Sequence, residues 1–471
     1  MRLLFFIKIN KGDAMDIRQT TEINKSNNVF DFLICIYGFI SENMSDAIRE
    51  SKARKDDPSY MEIYNEISSS IRVLDKHCFS EWRSIWIKTI EKKHECFSAE
   101  CLDTLICFDN LYFTNRKTVT GKSSTAKCGP LNNYSEQGFY FYLSPPRTLI
   151  ADSMEKNRII KGRKTLEPDP GGLKLNNYMI VRKDSLSGYT PKVNIYRLSR
   201  NNPSFESETL NAVIVPFFNE PWFGFNIDSS TLEFSIISSS EYNTIINEAM
   251  LNIIIESDKN GQNIIVFPEM SMNDDTLTYM KKNLLYHKLN NIKLIFLGSH
   301  WSSNSNTAYV LSKEGTELLT YSKKQPFEYF DKDTNSTYRE GIKSTQKTID
   351  YIDIEGIGRI SYVICRDFTD VTIDYICVDI MQSFLSVISA FSPKVDIMEE
   401  QAVATAASKY RITILCNACS SLKQSGFFAQ PSLNEKKRKI FTEIENEEHC
   451  SKCTYCSCIK SHSFHAKMLD E

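Results

Sequence analysis

The chain has no apolar run long enough to cross a bilayer. A spanning helix needs roughly 20 apolar residues. The stretch 30–40 falls far short, and the longer stretch 375–391 carries Asp379 and Gln382. A secretory signal is also missing. The leading apolar run covers only residues 3–7, shorter than the ~7–15 residue core of a signal peptide, and no small-residue cleavage site follows. Met15 is a second candidate start, which would make 1–14 a leader. The expected location is the cytoplasm. There is no excess charge of one sign: Lys+Arg is 56, Asp+Glu is 59 and the formal net charge is -3. That balance calls for neither nucleic acid nor an anionic membrane as partner. No internal repeat is present, and no phosphate-binding loop. Gly121-Lys122-Ser123 looks like the end of one, but Arg116 stands where the cradle needs glycine.

What is present is globular. The 471 residues are 41% hydrophobic and 24% charged, enough for two to three domains with packed cores. The 14 cysteines, without an export signal, read as thiols, ligands or a nucleophile rather than a disulfide framework. Over 29–54, Val29, Leu33, Ile36, Ile40 and Met44 recur at helical spacing, and Asp56-Asp57-Pro58 ends that helix. Phe79, Trp82, Trp86 and Ile90 mark a second helix. The polar stretch 115–137 reads as loop. Strand-like runs follow at 139–142, 178–181 and 193–198, with Asp169-Pro170-Gly171-Gly172 as a turn and Arg200-Asn201-Asn202-Pro203-Ser204 as a linker. Residues 1–200 are therefore expected to form a mainly helical accessory domain of unknown function. Beyond the linker the rhythm changes. Buried-strand runs at 210–217, 263–267, 294–297, 308–311, 359–364, 385–391 and 412–416 alternate with helical patterns such as 242–256. That predicts a layered α/β domain over 208–471.

Three motifs sit at or just after strand ends of this domain. They are Val266-Phe267-Pro268-Glu269, Tyr321-Ser322-Lys323-Lys324-Gln325-Pro326-Phe327 and Ile364-Cys365-Arg366-Asp367. Each alone has an ordinary reading. A glutamate past a strand is usually a solvated rim residue, a Lys-Lys pair is usually surface charge, and a buried cysteine is usually a small hydrophobe. Together and in this order they are more specific. The order Glu, Lys, Cys on an α/β chain resembles the nitrilase, or carbon–nitrogen hydrolase, superfamily, which reads F-P-E, then Y-x-K-x-x-x-F, then I-C-x-D. Further matches are Asn211-Ala212-Val213-Ile214-Val215-Pro216, Asn306-Thr307-Ala308-Tyr309-Val310, Gly341, Gly358-Arg359-Ile360, Ala390-Phe391-Ser392-Pro393 and Ile412-Thr413-Ile414-Leu415-Cys416-Asn417. The resemblance spans 208–430, about half of the chain, and implies an αββα sandwich.

The resemblance implies a role for each residue. Glu269 would be general base and acid, Cys365 the nucleophile and Lys323 the stabiliser of the oxyanion. The chemistry needs these types. A free thiol with a pKa of ~8.5 is only a few per cent thiolate at neutral pH, so a base must take its proton. Lys323 is expected to lower the thiol pKa as well. Lys324 lies outside the Y-x-K frame. Many family members carry a second glutamate between lysine and cysteine, and Glu328 and Glu340 are both candidates. Arg366, Phe391 and Asn417 are candidate supporting residues. Cys365-Arg366-Asp367 departs from the C-W-E of true nitrilases and looks more like the amidase and carbamoylase branches, which favours amide-type substrates over nitriles.

No cofactor is expected for this chemistry. A structural zinc is one reading of Cys450, Cys453, Cys456 and Cys458 with His449, His462 and His465, since zinc takes four N or S ligands. The other reading is a hairpin with free thiols. The spacing fits neither a two-knuckle site nor a ferredoxin run. The competing function is a sensing or interaction module that kept the fold, working beside nucleic-acid-associated or defence machinery. The chain has no Y-x-D-D polymerase motif, and the presence of Glu269, Lys323 and Cys365 together favours catalysis. A homodimer is expected through 375–384, where Ile376, Val378, Ile380 and Met381 suggest an apolar helix face that needs a cover.

Overall fold

The computed structural model describes residues 26, 28–41, 44–54, 57–72, 74, 79–92, 97–113, 125–128, 133–134, 138–143, 172–175, 177–196, 209–216, 223–238, 240–343, 346–354, 357–392, 395–409, 411–418, 426–428, 439–441 and 460–465. The candidate leader, the linker 200–204 and the four carboxyl-terminal cysteines lie outside them. The chain divides into two compact units. One comprises 1–123, 129–144 and 164–188, the other 124–128, 145–163 and 189–471.

The first unit carries the helices Val29–Ile40, Met44–Ala53, Pro58–Arg72, Phe79–Lys92 and Phe97–Cys107. It also holds a small antiparallel sheet in the order Asn133–Tyr134, Phe139–Leu143, Tyr178–Arg182, Gly172–Lys174. Phe32 is its aromatic centre, edge-on to Trp82 at 5.3 Å and to Trp86 at 5.1 Å. Both indoles keep their N–H satisfied, Trp82 on the Ser70 hydroxyl and Trp86 on that of Thr104. The single helix expected over 29–54 is two helices. At the break the Ser41 hydroxyl donates to the Gly38 carbonyl, competing with the backbone for that acceptor. Pro58, read as a terminator, also opens the next helix, where its missing N–H costs nothing.

The second unit is a four-layer α/β sandwich. Its eight-stranded sheet runs Thr125–Cys128, Thr190–Tyr196, Thr348–Ile354, Gly358–Ile364, Leu385–Ala390, Ile412–Asn417, Gly426–Phe428, Lys439–Phe441. Its six-stranded sheet runs Glu317–Ser322, Ser305–Ser312, Leu294–Ser302, Ile264–Val266, Thr209–Ile214, Lys460–His465. The central strands read as continuous apolar runs because both their faces are covered. On one face of the six-stranded sheet, Val213, Ile265, Ile295 and Leu297 pack under Ile246, Met250 and Ile254 of helix Asn243–Lys259 and Met280 of helix Thr276–Leu284. On the other face, Phe296 meets Tyr362 of the eight-stranded sheet edge-on at 5.0 Å, and the Ser389 hydroxyl donates to the Phe267 carbonyl at 2.6 Å. Helix Asp396–Lys409 packs against Ile412–Asn417 from outside.

Two expectations change here. The compact unit that holds the sandwich takes in 124–128 and 189–200, which the expected accessory domain 1–200 included. Thr190–Tyr196 pairs in parallel with Thr348–Ile354 along its whole length and so belongs to the sandwich. The stretch 115–137, read as loop, contributes the strands Thr125–Cys128 and Asn133–Tyr134. The second unit also has a four-stranded sheet absent from the sequence reading, in the order Glu328–Asp331, Ser336–Glu340, Glu233–Ser238, Phe223–Asp228.

Candidate active site

Glu269 stands three residues beyond strand Ile264–Val266, in a tight turn. The turn is held by Ser271, whose hydroxyl lies 2.8 Å from both the Pro268 and Leu297 carbonyls, and by the Met270 N–H, which donates to the Ser299 hydroxyl. The turn can press this close only because residue 298 is glycine. At its φ of +79° a Cβ would collide with the Pro268 carbonyl oxygen and the Ser271 hydroxyl.

The Glu269 carboxylate is buried and fully engaged. Oε1 accepts from Lys323 Nζ at 2.8 Å and from Asn306 Nδ2 at 2.7 Å, and Oε2 accepts from the Phe391 N–H at 2.9 Å. Lys323 follows strand Glu317–Ser322, and its backbone N–H donates to the Asn306 carbonyl. Its ammonium also contacts Glu340 Oε2 at 2.7 Å. Glu340, the last residue of Ser336–Glu340, further accepts from Asn306 Nδ2 at 3.2 Å and from the Phe327 N–H at 2.9 Å. Lys323 is thus clamped between two carboxylates that share one amide donor, all four side chains being buried.

Cys365 begins a single 3-10 turn, Cys365–Thr369, at the exit of strand Gly358–Ile364. Its φ of +48° is in the left-handed region, a strained conformation for a residue with a Cβ and one met at functional turns. The buried thiol feels the charges of Glu269, Lys323 and Glu340. Burial raises its pKa most, both carboxylates raise it further, and Lys323 and the Phe391 N–H lower it. The net direction is up, opposite to the expected lowering by Lys323, because the lysine is outvoted by two anions and by desolvation. Burial likewise lifts the Glu269 carboxyl above its ordinary range, with Lys323 pulling it down and Glu340 pushing it up. Burial opposes the Lys323 charge, but the two carboxylates hold its pKa well above the usual value, so it stays an ammonium.

The supporting candidates separate. Asn417 clasps the Ser392 backbone, Oδ1 accepting from its N–H at 2.9 Å and Nδ2 donating to its carbonyl at 3.1 Å. That fixes the loop in which the Phe391 N–H reaches Glu269. Of the two second-glutamate candidates, Glu340 is in the cluster. Glu328 is exposed and pairs with the equally exposed Arg366 at 3.4 Å, so neither joins the buried group. Lys324 uses its backbone N–H on Asp367, and its ammonium lies over the Tyr321 ring.

Three residues of the arrangement were not singled out in the sequence. Asn306 bridges the carboxylates. Asp367 accepts from the Tyr321 hydroxyl at 2.8 Å and from the Lys324 and Gln325 N–H groups at 2.8 Å and 2.6 Å, tying the cysteine turn to the lysine segment. Burial pushes the Asp367 carboxyl up to about 7 against the pull of those donors. Asp367 and Tyr321 were visible only as letters of their motifs. Asn306 was visible only as the first letter of the Asn306-Thr307-Ala308-Tyr309-Val310 match, with no sign that its side chain faces the site. Among the described residues no group of three or more His, Cys, Asp or Glu could hold a metal ion. No described helix is long and apolar enough to cross a membrane.

No protein-family model matches the chain, and no curated protein matches it. Among solved structures, it is similar to the glutamine-dependent NAD+ synthetase from Acinetobacter baumannii, at 13% identity and a TM-score of 0.36 over 55% of this chain and 46% of that one. It therefore spans less than half the length of that enzyme. Saccharomyces cerevisiae Nit3, a member of branch 10 of the nitrilase superfamily, is similar at 13% identity and a TM-score of 0.34, over 57% of this chain and 94% of Nit3. An amidase from Nesterenkonia sp. AN1 is similar at 10% identity and a TM-score of 0.32, over 47% and 85% of the two chains. Likeness at this level adds no weight to the reading of the site, which rests on the cluster itself.

Proposed function

We propose that the chain is a cysteine-dependent hydrolase of non-peptide carbon–nitrogen bonds, acting on a small amide or carbamoyl-type molecule through a thioester. One observation carries the reading. A lysine clamped between two buried carboxylates stands within electrostatic reach of a buried cysteine in a strained turn at a strand exit. A structural role explains this poorly, since a buried ion cluster is costly to desolvate and is often replaceable by apolar packing.

The raised thiol pKa means that the resting nucleophile is neutral. Attack is then coupled to proton transfer: Glu269 takes the Sγ proton as sulfur bonds to the amide carbon. Charge developing on the carbonyl oxygen falls beside the Lys323 ammonium and a backbone N–H after Cys365. Glu269 returns its proton to the amine nitrogen, the carbon–nitrogen bond breaks, and the acyl group remains on Sγ. Water, deprotonated by Glu269, then cleaves the thioester, releasing the acid and restoring the thiol. Glu340 keeps Lys323 charged and aimed throughout.

The test is to trap the acyl-enzyme by intact-protein mass spectrometry after incubation with a metabolite extract, beside Cys365→Ala. The wild type should carry a thioester on Cys365. The variant should carry none and lose turnover with little loss of stability. Wild-type hydrolysis by Cys365→Ala would refute the nucleophilic mechanism.

A further inference from the structure

The four-stranded sheet bears Glu340, the carboxylate that positions Lys323, and an apolar track on the same face. Glu340 pairs with Phe234 across parallel strands, so the two side chains leave the sheet on one side. Two residues further on, Ile236 points the same way and packs against Met270 and Trp301. Met270 directly follows Glu269 in the chain, and Trp301 pairs with Asn306 across its hairpin. The track therefore starts beside both carboxylates that hold Lys323.

It then runs outward. Phe225 pairs with Ile236 and Ile227 with Phe234 on the edge strand, which places both on the same face. Phe234 and Ile236 are buried, whereas Phe225 is 54% and Ile227 53% exposed. Tyr329, opposite Tyr338 on the other edge, is 53% exposed. Exposed apolar side chains on an edge strand invite unwanted pairing and are usually avoided. Here they form the outer end of a surface whose inner end is the reacting centre. A molecule with a polar amide at one end and an apolar chain at the other matches that layout along its length.

We infer that this face holds the apolar chain of the substrate, an amide carrying an extended aliphatic or aryl group of several carbons. The inference rests on the amidohydrolase reading above. The probe is a series of N-alkyl iodoacetamides, from the parent reagent through N-butyl to N-hexyl, with alkylation of Cys365 timed by peptide mass spectrometry. The rate should rise about threefold per methylene, somewhat below the value for full burial of each group. Phe225→Ser and Ile227→Ser change exposed side chains outside the catalytic cluster. They should flatten the rise and leave the rate of the parent reagent unchanged. A flat series at a reactive Cys365 overturns the inference and leaves the hydrolase reading standing. A Cys365 no more reactive than the buried Cys377 and Cys416 overturns that reading and the inference with it. A rise that survives both substitutions overturns the assignment to this face. Substitutions that instead convert a dimer to a monomer in sedimentation make the face a subunit interface and overturn the inference as well.

Discussion

At the scale of single residues, the cluster is set by an imbalance of charge. Two carboxylates surround one ammonium, so the site carries a net negative charge before any substrate arrives. That excess keeps Lys323 protonated, while burial, with Glu340 adding to it, lifts the Glu269 pKa against the pull of Lys323, and burial with both carboxylates keeps the Cys365 thiol neutral. The base must be ionised to act, and its pKa lies above the ordinary 4.5. Activity should therefore be lost on the acid side through a value above that figure. Glu340→Gln removes the charge that pushes Glu269 up. The acid limb of kcat/KM should move to lower pH, while the plateau falls about 10- to 100-fold as Lys323 loses an orienting partner. A pH–rate profile of both proteins checks this, and a limb that stays in place means Glu340 does not act on the base. The same residues show what a sequence can reveal. Glu269, Lys323 and Cys365 each stand in a short window at a strand exit, where local pattern is informative. Glu340 and Glu328 could not be told apart, because the register of Ser336–Glu340 against Glu233–Ser238 decides which carboxylate turns inward. Asn306 meets its partners 37 and 34 residues away, so its motif could mark the strand but not which carboxylates it bridges.

At the scale of elements, the site depends on a tight fit between one turn and one strand. Strand Leu294–Ser302 breaks its ladder with Ser305–Ser312 between Phe296 and Ser299, and Gly298 sits in that break beneath the Glu269 turn. Gly298→Ala should destabilise the fold by about 2–4 kcal/mol, combining the left-handed backbone penalty with a backbone collision. Gly261 offers the comparison. Its φ is +77°, but nothing lies within 4 Å of a Cβ there, and it follows helix Asn243–Lys259 as a C-terminal cap. Gly261→Ala should cost only about 1 kcal/mol. Urea unfolding of the two variants isolates the collision, and equal losses would mean that the turn can yield. The long elements of the sandwich were legible because buried strands write continuous apolar runs. The four-stranded sheet was not. Its edge strand Phe223–Asp228 is exposed along 224–228, so burial imposes no pattern on its sequence.

At the scale of the whole molecule, the sequence placed the change of architecture near a polar linker, while the structure places it where a strand is captured. Thr190–Tyr196 has the local look of its neighbours in the first unit, and only its parallel pairing with a strand more than 150 residues later assigns it to the sandwich. The same distinction between local pattern and tertiary use bears on assembly. Ile376, Val378, Ile380 and Met381, whose apolarity suggested a face for a second copy, are buried within the chain, and the buried Arg359 anchors the segment through the Met381 carbonyl. What remains exposed nearby is Val371 at 82% and Ile397 at 65%. They lie on helices Val371–Tyr375 and Asp396–Lys409, joined by a Gln401–Asp374 hydrogen bond of 2.8 Å. Pairing of two copies is expected to rest on this smaller face, which lies next to the cysteine turn. A two-fold interface uses each such residue twice, so paired substitutions act strongly. Sedimentation of the full chain should show a dimer, and Val371→Asp with Ile397→Asp should yield a folded monomer that still alkylates at Cys365. A wild type that sediments as a monomer at tens of micromolar would refute the pairing and leave Val371 and Ile397 as isolated surface side chains of the kind any protein carries.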